Sequence, residues 1–122
     1  MTTNTKTRED YVQEFVDANP KELQEKTAWV CFDEETDEMY EAGTAYMMNP
    51  SVETRAEFIK EMADVQYTLS QLAVRYQVNL EEAFKRVAEN NMTKVVDGVI
   101  KYRHDGKILK PDNYVKADMS GL

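Results

Sequence analysis

Five carboxylates carry the clearest chemical pattern in this chain. Glu34, Glu35 and Glu38 lie in one acidic run, Glu34-Glu35-Thr36-Asp37-Glu38, and Glu61 and Asp64 lie in a second, Glu61-Met62-Ala63-Asp64. Each run holds an acid-x-x-acid pair. On a helix, residues three apart lie about 60° apart around the axis, so Glu35 and Glu38 share one face and Glu61 and Asp64 share another. If those faces meet, the four like charges repel strongly unless a divalent cation neutralises them. Oxygen-only donors favour Mg²⁺, with Mn²⁺ as the substitute, over zinc. Acid pairs of this spacing are also common on solvated helix surfaces, and either pair alone reads that way. Glu61 and Asp64 stand apart because they fall beside the apolar stripe Phe58, Met62, Val65, Leu69, at the edge of a core. A di-iron bundle would need Glu-x-x-His pairs, and the one histidine, His104, has Lys101 three residues before it, which excludes that alternative.

Cationic residues gather elsewhere. Between Lys94 and Lys116 stand six Lys/Arg (Lys94, Lys101, Arg103, Lys107, Lys110, Lys116) against three aspartates, a local +3 within a chain of net −8. Such contrast focuses a phosphate ligand, with Arg103 and Lys107 as first choices, although a mixed charged tail is often only solvated surface. Trp29 and Phe32, at i, i+3 and one turn before the first acids, are core aromatics by default. Either could line a nucleobase pocket. Cys31 reads as a small buried apolar residue, since no histidine or basic residue adjoins it in sequence to lower its pKa.

The elements that must position these groups are helical. Gly and Pro number four and three, and the stretches between them carry helical periodicity. The pattern predicts a first helix from about Arg8 to Ala18, capped by Thr7 and stopped at Asn19-Pro20, with the residues before it frayed. A second helix starts after Pro20 and continues to about Met48, before Asn49-Pro50, with a break near Gly43 an option. The third, about Val52 to Tyr76, shows Phe58, Met62, Val65, Leu69, Leu72 and Tyr76 at alternating spacings of four and three, a bundle-core stripe. The fourth is announced by Asn79 with Glu82 three residues later, buries Leu80, Ala83, Phe84, Val87 and Ala88, and ends near Gly98. The tail from Val99 to Leu122 is expected to be ordered in part, with a short hairpin at His104-Asp105-Gly106. The expected fold class is therefore all-α: a four-helix-bundle-like single domain over 1–122, with 1–7 frayed, a metal-binding helical core over 28–98 and a basic tail over 99–122.

Composition narrows the function classes. At 122 residues and 42% hydrophobic content, one core can form without disulfide or metal staples. The uncharged stretches, Val65 to Val74 among them, are too short and too polar for a membrane span. The polar N-terminus lacks the apolar run of a secretory signal, and one cysteine fits a reducing cytoplasm. One thiol and one imidazole cannot fill four ligand positions, which disfavours most zinc sites and the cysteine–histidine nucleophilic pairs. Residues 1–64 carry 6 basic against 16 acidic side chains, net −10, whereas residues 65–122 carry 9 against 7, net +2. The acidic half attracts cations, and the overall balance opposes nucleic-acid binding.

Glu34-Glu35-x-x-Glu38, 22 intervening residues and Glu61-x-x-Asp64 resemble the signature of the all-α nucleoside triphosphate pyrophosphohydrolases, the MazG-like and phosphoribosyl-ATP pyrophosphohydrolase-like superfamily. Downstream, Asn90-Asn91-Met92-Thr93-Lys94, Asp97-Gly98 and Asp105-Gly106-Lys107-Ile108-Leu109-Lys110 resemble the asparagine/lysine segment and Gly-Lys tail of small, often phage-encoded members. The resemblance covers about Ala28 to Asp118. It implies that Glu35, Glu38, Glu61 and Asp64 ligate Mg²⁺ bridging the substrate's phosphates. Glu34 would hold a second metal or orient the attacking water, and Asn91 and Lys94 would contact phosphate or sugar. Expected catalytic residues are therefore Glu34, Glu38 and Lys94, and expected substrate contacts are Trp29, Asn91, Lys94, Arg103, Lys107 and Lys110. The implied reaction is metal-dependent cleavage between the α and β phosphates of a nucleotide, in a cytoplasmic homodimer or homotetramer that binds neither membrane nor nucleic acid. Two other classes fit the same composition: a non-catalytic acidic interaction protein, and a nucleotide sensor without turnover.

Overall fold

A computed structural model describes residues 5–122. Residues 1–4, part of the segment expected to fray, lie outside the described range. Four α-helices follow in order, α1 Arg8–Ala18, α2 Glu25–Met48, α3 Val52–Tyr76 and α4 Leu80–Met92, with no strand among the described residues. The fold is all-α, and none of these helices is long and apolar enough to cross a membrane.

Local chemistry explains most of the boundaries. Thr7 and Asp10 form a reciprocal capping box that opens α1, and Asn19 closes it ahead of Pro20. Ser51 opens α3 by accepting from the Thr54 N–H at 3.0 Å, and Asn79 does the same for α4 through Glu82 at 3.1 Å. Such caps satisfy N–H groups that the helix itself leaves without partners. Gln77 adopts φ 56°, and the chain turns out of α3 there. α2 starts at Glu25 rather than directly after Pro20, and it runs unbroken through Gly43.

The chain divides into two compact units, Met1–Val78 and Asn79–Leu122. In the first, α3 packs against both α2 and α1, and more extensively against α2. α2 and α3 are antiparallel: Trp29 Nε1 near the start of α2 donates to Tyr76 Oη at the end of α3, at 2.9 Å. At the other end Tyr46 meets Phe58 with ring centroids 6.0 Å apart. Small residues set the approach. Ala28 and Ala42 are buried, and the space above Gly43 is closed by the Phe58 ring, which a Cβ would meet at 3.1 Å.

The stripe expected to form the α3 core is only half buried. Leu72 is buried, but Met62, Leu69 and Tyr76 stay 41%, 39% and 43% exposed. The residues that turn inward with Leu72 include Glu61 and Thr68, so Glu61 lies in the buried line instead of at its edge. The reason is that α3 serves two neighbours. Ser70, nine residues and so about half a turn around the axis from Glu61, is fully buried and donates to the Glu9 carboxylate of α1 at 2.7 Å. On that same side Tyr67 meets Phe15 edge-on at 6.4 Å. Splitting the helix between two partners leaves Met62, Leu69 and Tyr76 on a third line.

In the second unit the tail is laced along α4. Arg86 donates to the carbonyls of Asp118 and Ser120, both at 3.0 Å, while Asn90 donates to the Val115 carbonyl at 2.7 Å and accepts from Tyr114 Oη at 2.8 Å. The apolar face expected to be buried on α4 is not: Phe84 is 66% and Val87 45% exposed. The helix also ends at Met92, not at Gly98. Asp97 and Gly98, both at positive φ, instead form the two-residue turn that joins Val96 to Val99 by reciprocal backbone bonds of 2.9 and 3.0 Å. Such a turn suits an Asp-Gly pair, because both central residues need φ above zero. The expected hairpin at His104-Asp105-Gly106 forms as a bridge between Tyr102 and Ile108.

Candidate functional site

The α2–α3 packing brings carboxylates together. Glu35 lies seven residues from both Ala28 and Ala42, so it shares their inward line, and the small neighbours let it reach α3. There its oxygen meets those of Glu38 and Glu61, the three donor atoms lying within 4.8 Å of one another. Glu61 is 4% exposed, and one carboxylate oxygen of each of Glu35 and Glu61 is buried with no hydrogen-bond donor. Buried anionic oxygen without a donor is costly. A divalent cation satisfies such atoms, so the donor set fits an oxygen-ligated ion of the Mg²⁺ or Mn²⁺ type.

Asp64 stands at the border of this trio. Its Oδ2 accepts from Lys60 Nζ at 2.7 Å, and the same ammonium lies 3.4 Å from Glu61 Oε1. The Asp64 hydrogen bond and charge, then the charge of Glu61, hold the Lys60 ammonium well above its ordinary pKa. Lys60 was not among the expected site residues, although its i, i+4 relation to Asp64 is readable from sequence. Glu34 is exposed and outside the converging set.

The Glu35 carboxyl is pushed above its ordinary value of 4.5, first by burial and then by the charge of Glu38, with Asp64 and Glu61 adding to it. The folded protein therefore keeps this proton at a pH where the unfolded chain has released it. Its contribution to stability is complete below about pH 4.5 and is lost as pH rises through the raised folded value. In chelator, denaturation of the wild type is expected to become easier across that window, and Glu35→Gln should flatten the slope. A variant with the same slope as wild type would show that Glu35 does not carry the effect.

The remaining expected residues occupy other places. Trp29 is 46% exposed, bonded to Tyr76 and edge-on to Phe32 at 6.4 Å. In the second unit Lys94 Nζ donates to Asn91 Oδ1 at 3.1 Å. Arg103 is held by the Asp105 carboxylate, which also accepts from the Lys107 backbone N–H at 3.1 Å. The first-choice phosphate ligand thus spends part of its donor fork inside its own turn. Lys94 and Lys110 both lie over the Tyr114 ring, 5.7 and 5.0 Å from its centroid, an arrangement the spacing of these residues did not announce.

Four helices and a convergent carboxylate cluster between two of them define the class of an all-α protein with a cation-seeking acidic site. A family model described as phosphoribosyl-ATP pyrophosphohydrolase matches residues 4–91, well over half of the chain. This chain therefore belongs to the phosphoribosyl-ATP pyrophosphohydrolase family, within the all-α nucleoside triphosphate pyrophosphohydrolase superfamily. The match includes all five candidate acids and stops before Lys94. No curated protein matches the chain.

Proposed function

We propose that this protein is a divalent-metal-dependent nucleotide pyrophosphohydrolase that cleaves between the α and β phosphates, releasing a nucleoside monophosphate and pyrophosphate. The observation that carries this reading is the convergence of Glu35, Glu38 and Glu61 with two buried oxygens lacking donors, in a chain of this family. These three, with Asp64 at the border, would hold Mg²⁺ or Mn²⁺. When bound, the ion supplies Lewis-acid charge that polarises a phosphoryl oxygen and offsets the charge of the leaving group.

The chain's own residues have separable tasks. Glu38 and the exposed Glu34 are carboxylates able to orient a water and accept its proton. The buried Glu61 and half-buried Glu35 keep the site in place, because their helices are locked by the Ala28, Ala42 and Gly43 contacts. Asn91, Lys94, Lys107, Lys110 and the remaining donors of Arg103 offer charge and hydrogen bonds to phosphate and sugar, and the exposed part of Trp29 offers a face to a base. The protein acts in the cytoplasm as a homodimer or homotetramer. The half-exposed line Met62, Leu69, Tyr76 supports that assembly, since apolar side chains on one helix flank suit a helix–helix interface.

Product analysis tests the reaction. Incubation of a nucleoside triphosphate panel with protein and Mg²⁺ in ¹⁸O-labelled water should yield one monophosphate and one pyrophosphate per turnover, with the label in either of them and none in orthophosphate. Orthophosphate as the primary product, with a diphosphate left behind, would overturn the pyrophosphohydrolase reading. Binding without any product would assign the protein to the sensor class.

A further inference from the structure

One basic side chain sits among the candidate metal ligands, and the hydrolytic reading gives it no task. Lys60 Nζ lies 2.7 Å from Asp64 Oδ2 and 3.4 Å from Glu61 Oε1. Helix geometry explains how one ammonium reaches both. Around the axis of α3 Asp64 falls between Lys60 and Glu61, about 40° from the first and about 60° from the second, so a lysine stem leaning over Asp64 also approaches Glu61. Exposure is graded along the same line: the side chains of Lys60, Asp64 and Glu61 are 62%, 33% and 6% exposed. The ammonium thus stands on the solvent side of the cluster. Among the described residues it is the only cation paired with any of the four acids Glu35, Glu38, Glu61 and Asp64, because the remaining ion pairs involve none of them.

Asp64 is also the acid that stays outside the converging trio Glu35, Glu38 and Glu61. A carboxylate oxygen paired with an ammonium at 2.7 Å offers the lone pairs that a divalent ion would take, and two cations at one oxygen repel each other. Lysine is able to yield. Its ammonium is a single point charge on a flexible stem, it is already largely in water, and an ion pair of that exposure contributes little. Building on the metal-site part of the function proposed above, we propose that Lys60 is a resident counter-cation that competes with the divalent ion for Asp64. Lys60 releases Asp64 as the ion binds and turns into solvent, and it thereby lowers the affinity of the site. The residue is a tuning residue for metal binding; it need not touch the nucleotide.

The test is calorimetric titration of the full chain with Mn²⁺ alone, without nucleotide. Lys60→Gln should bind Mn²⁺ at least about threefold more tightly than wild type, within what one exposed ion pair contributes, whereas Lys60→Arg keeps the charge and the pair and should stay within about twofold. Loss of a positive charge also raises cation affinity through its field alone, so the decisive comparison is the double-mutant cycle with Asp64→Asn. In that background the carboxylate that holds the ammonium is gone, and the gain from Lys60→Gln should fall below about 1.5-fold. An equal gain in both backgrounds overturns the proposal, and so does equal affinity of wild type and Lys60→Gln. A second readout follows Lys60 itself. As Mg²⁺ saturates the wild type, the NMR signal of the Lys60 ammonium should move to the position of a solvated lysine; a signal that stays in place overturns the proposal. If neither wild type nor Lys60→Gln binds Mn²⁺, the metal-site reading falls and this inference with it, whereas Mn²⁺ binding that is indifferent to Lys60 sinks this inference alone.

Discussion

Glu61→Gln is expected to abolish metal-dependent turnover while leaving the metal-free protein as stable as wild type or more so. Glu61 is the most buried acid of the cluster, and its Oε2 has no donor. The amide keeps the shape and removes one charge facing Glu35 and Glu38, so repulsion falls. The only loss in the metal-free state is the 3.4 Å contact to Lys60, whose side chain is 62% exposed, and such surface pairs contribute little. Metal binding, however, loses a charged oxygen donor. Outer-shell changes alone cost about 10–100-fold in metal-site function, so a loss of at least about 100-fold in turnover is expected here. Stability supplies a second readout. An ion at 100 times its Kd stabilises the folded state by about 2.7 kcal/mol, which is roughly 10 °C in Tm at this chain length. Wild type should show that gain with millimolar Mg²⁺ or Mn²⁺, and Glu61→Gln should not. A variant that still melts higher with metal, or still turns over, would remove Glu61 from the site.

Gly43→Val should be the most damaging substitution at a position that bears no functional group. A Cβ at residue 43 meets Phe58 Cε1 at 3.1 Å, and Phe58 is itself seated against Tyr46. Gly43→Ala sets that contact against the helix propensity it gains, up to about 1 kcal/mol, and should come out near neutral. Valine adds two methyl groups to the same gap and carries less of the propensity gain, so overpacking of about 1–3 kcal/mol prevails. At about 4 °C per kcal/mol for this size, Tm should fall by some 4–12 °C. Pushing α3 away from α2 also separates Glu38 from Glu61, so metal-dependent stabilisation should shrink in the same variant. A valine variant that melts at or above wild type would show that Phe58 yields freely and that Gly43 does not set the helix spacing.

The acidic pairs were legible in sequence because a helix converts spacing of three into a shared face. The caps at Thr7 and Asn79 and the extents of α1 and α3 were legible for a similar reason: short-range hydrogen bonds and backbone preferences decide them. The Asp97-Gly98 turn carried its own signal, yet the helical reading ran through it to Gly98. α4 ends at Met92 with the Thr93 N–H bonded back to the Asn90 carbonyl, while the bonds that lay the tail along the helix, through Arg86 and Asn90, are encoded by no local pattern.

What the sequence by itself determined was therefore the all-α class, the family signature, the candidate metal ligands Glu35, Glu38, Glu61 and Asp64, and the contrast between an acidic first half and a basic tail. Tertiary structure alone decided which flank of α3 turns inward. A four-three stripe names an apolar line, but a helix shared between two partners buries the lines that its partners cover. Here that exchange placed Glu61 and Thr68 inside and left Met62, Leu69 and Tyr76 half exposed. Tertiary structure also brought Lys94 to the Tyr114 ring, twenty residues on, whereas Arg103 is committed to Asp105 within its own turn. Charge counting finds that a tail is basic; how that tail is laid along α4 depends on contacts between residues distant in sequence, such as Arg86 with Asp118 and Ser120.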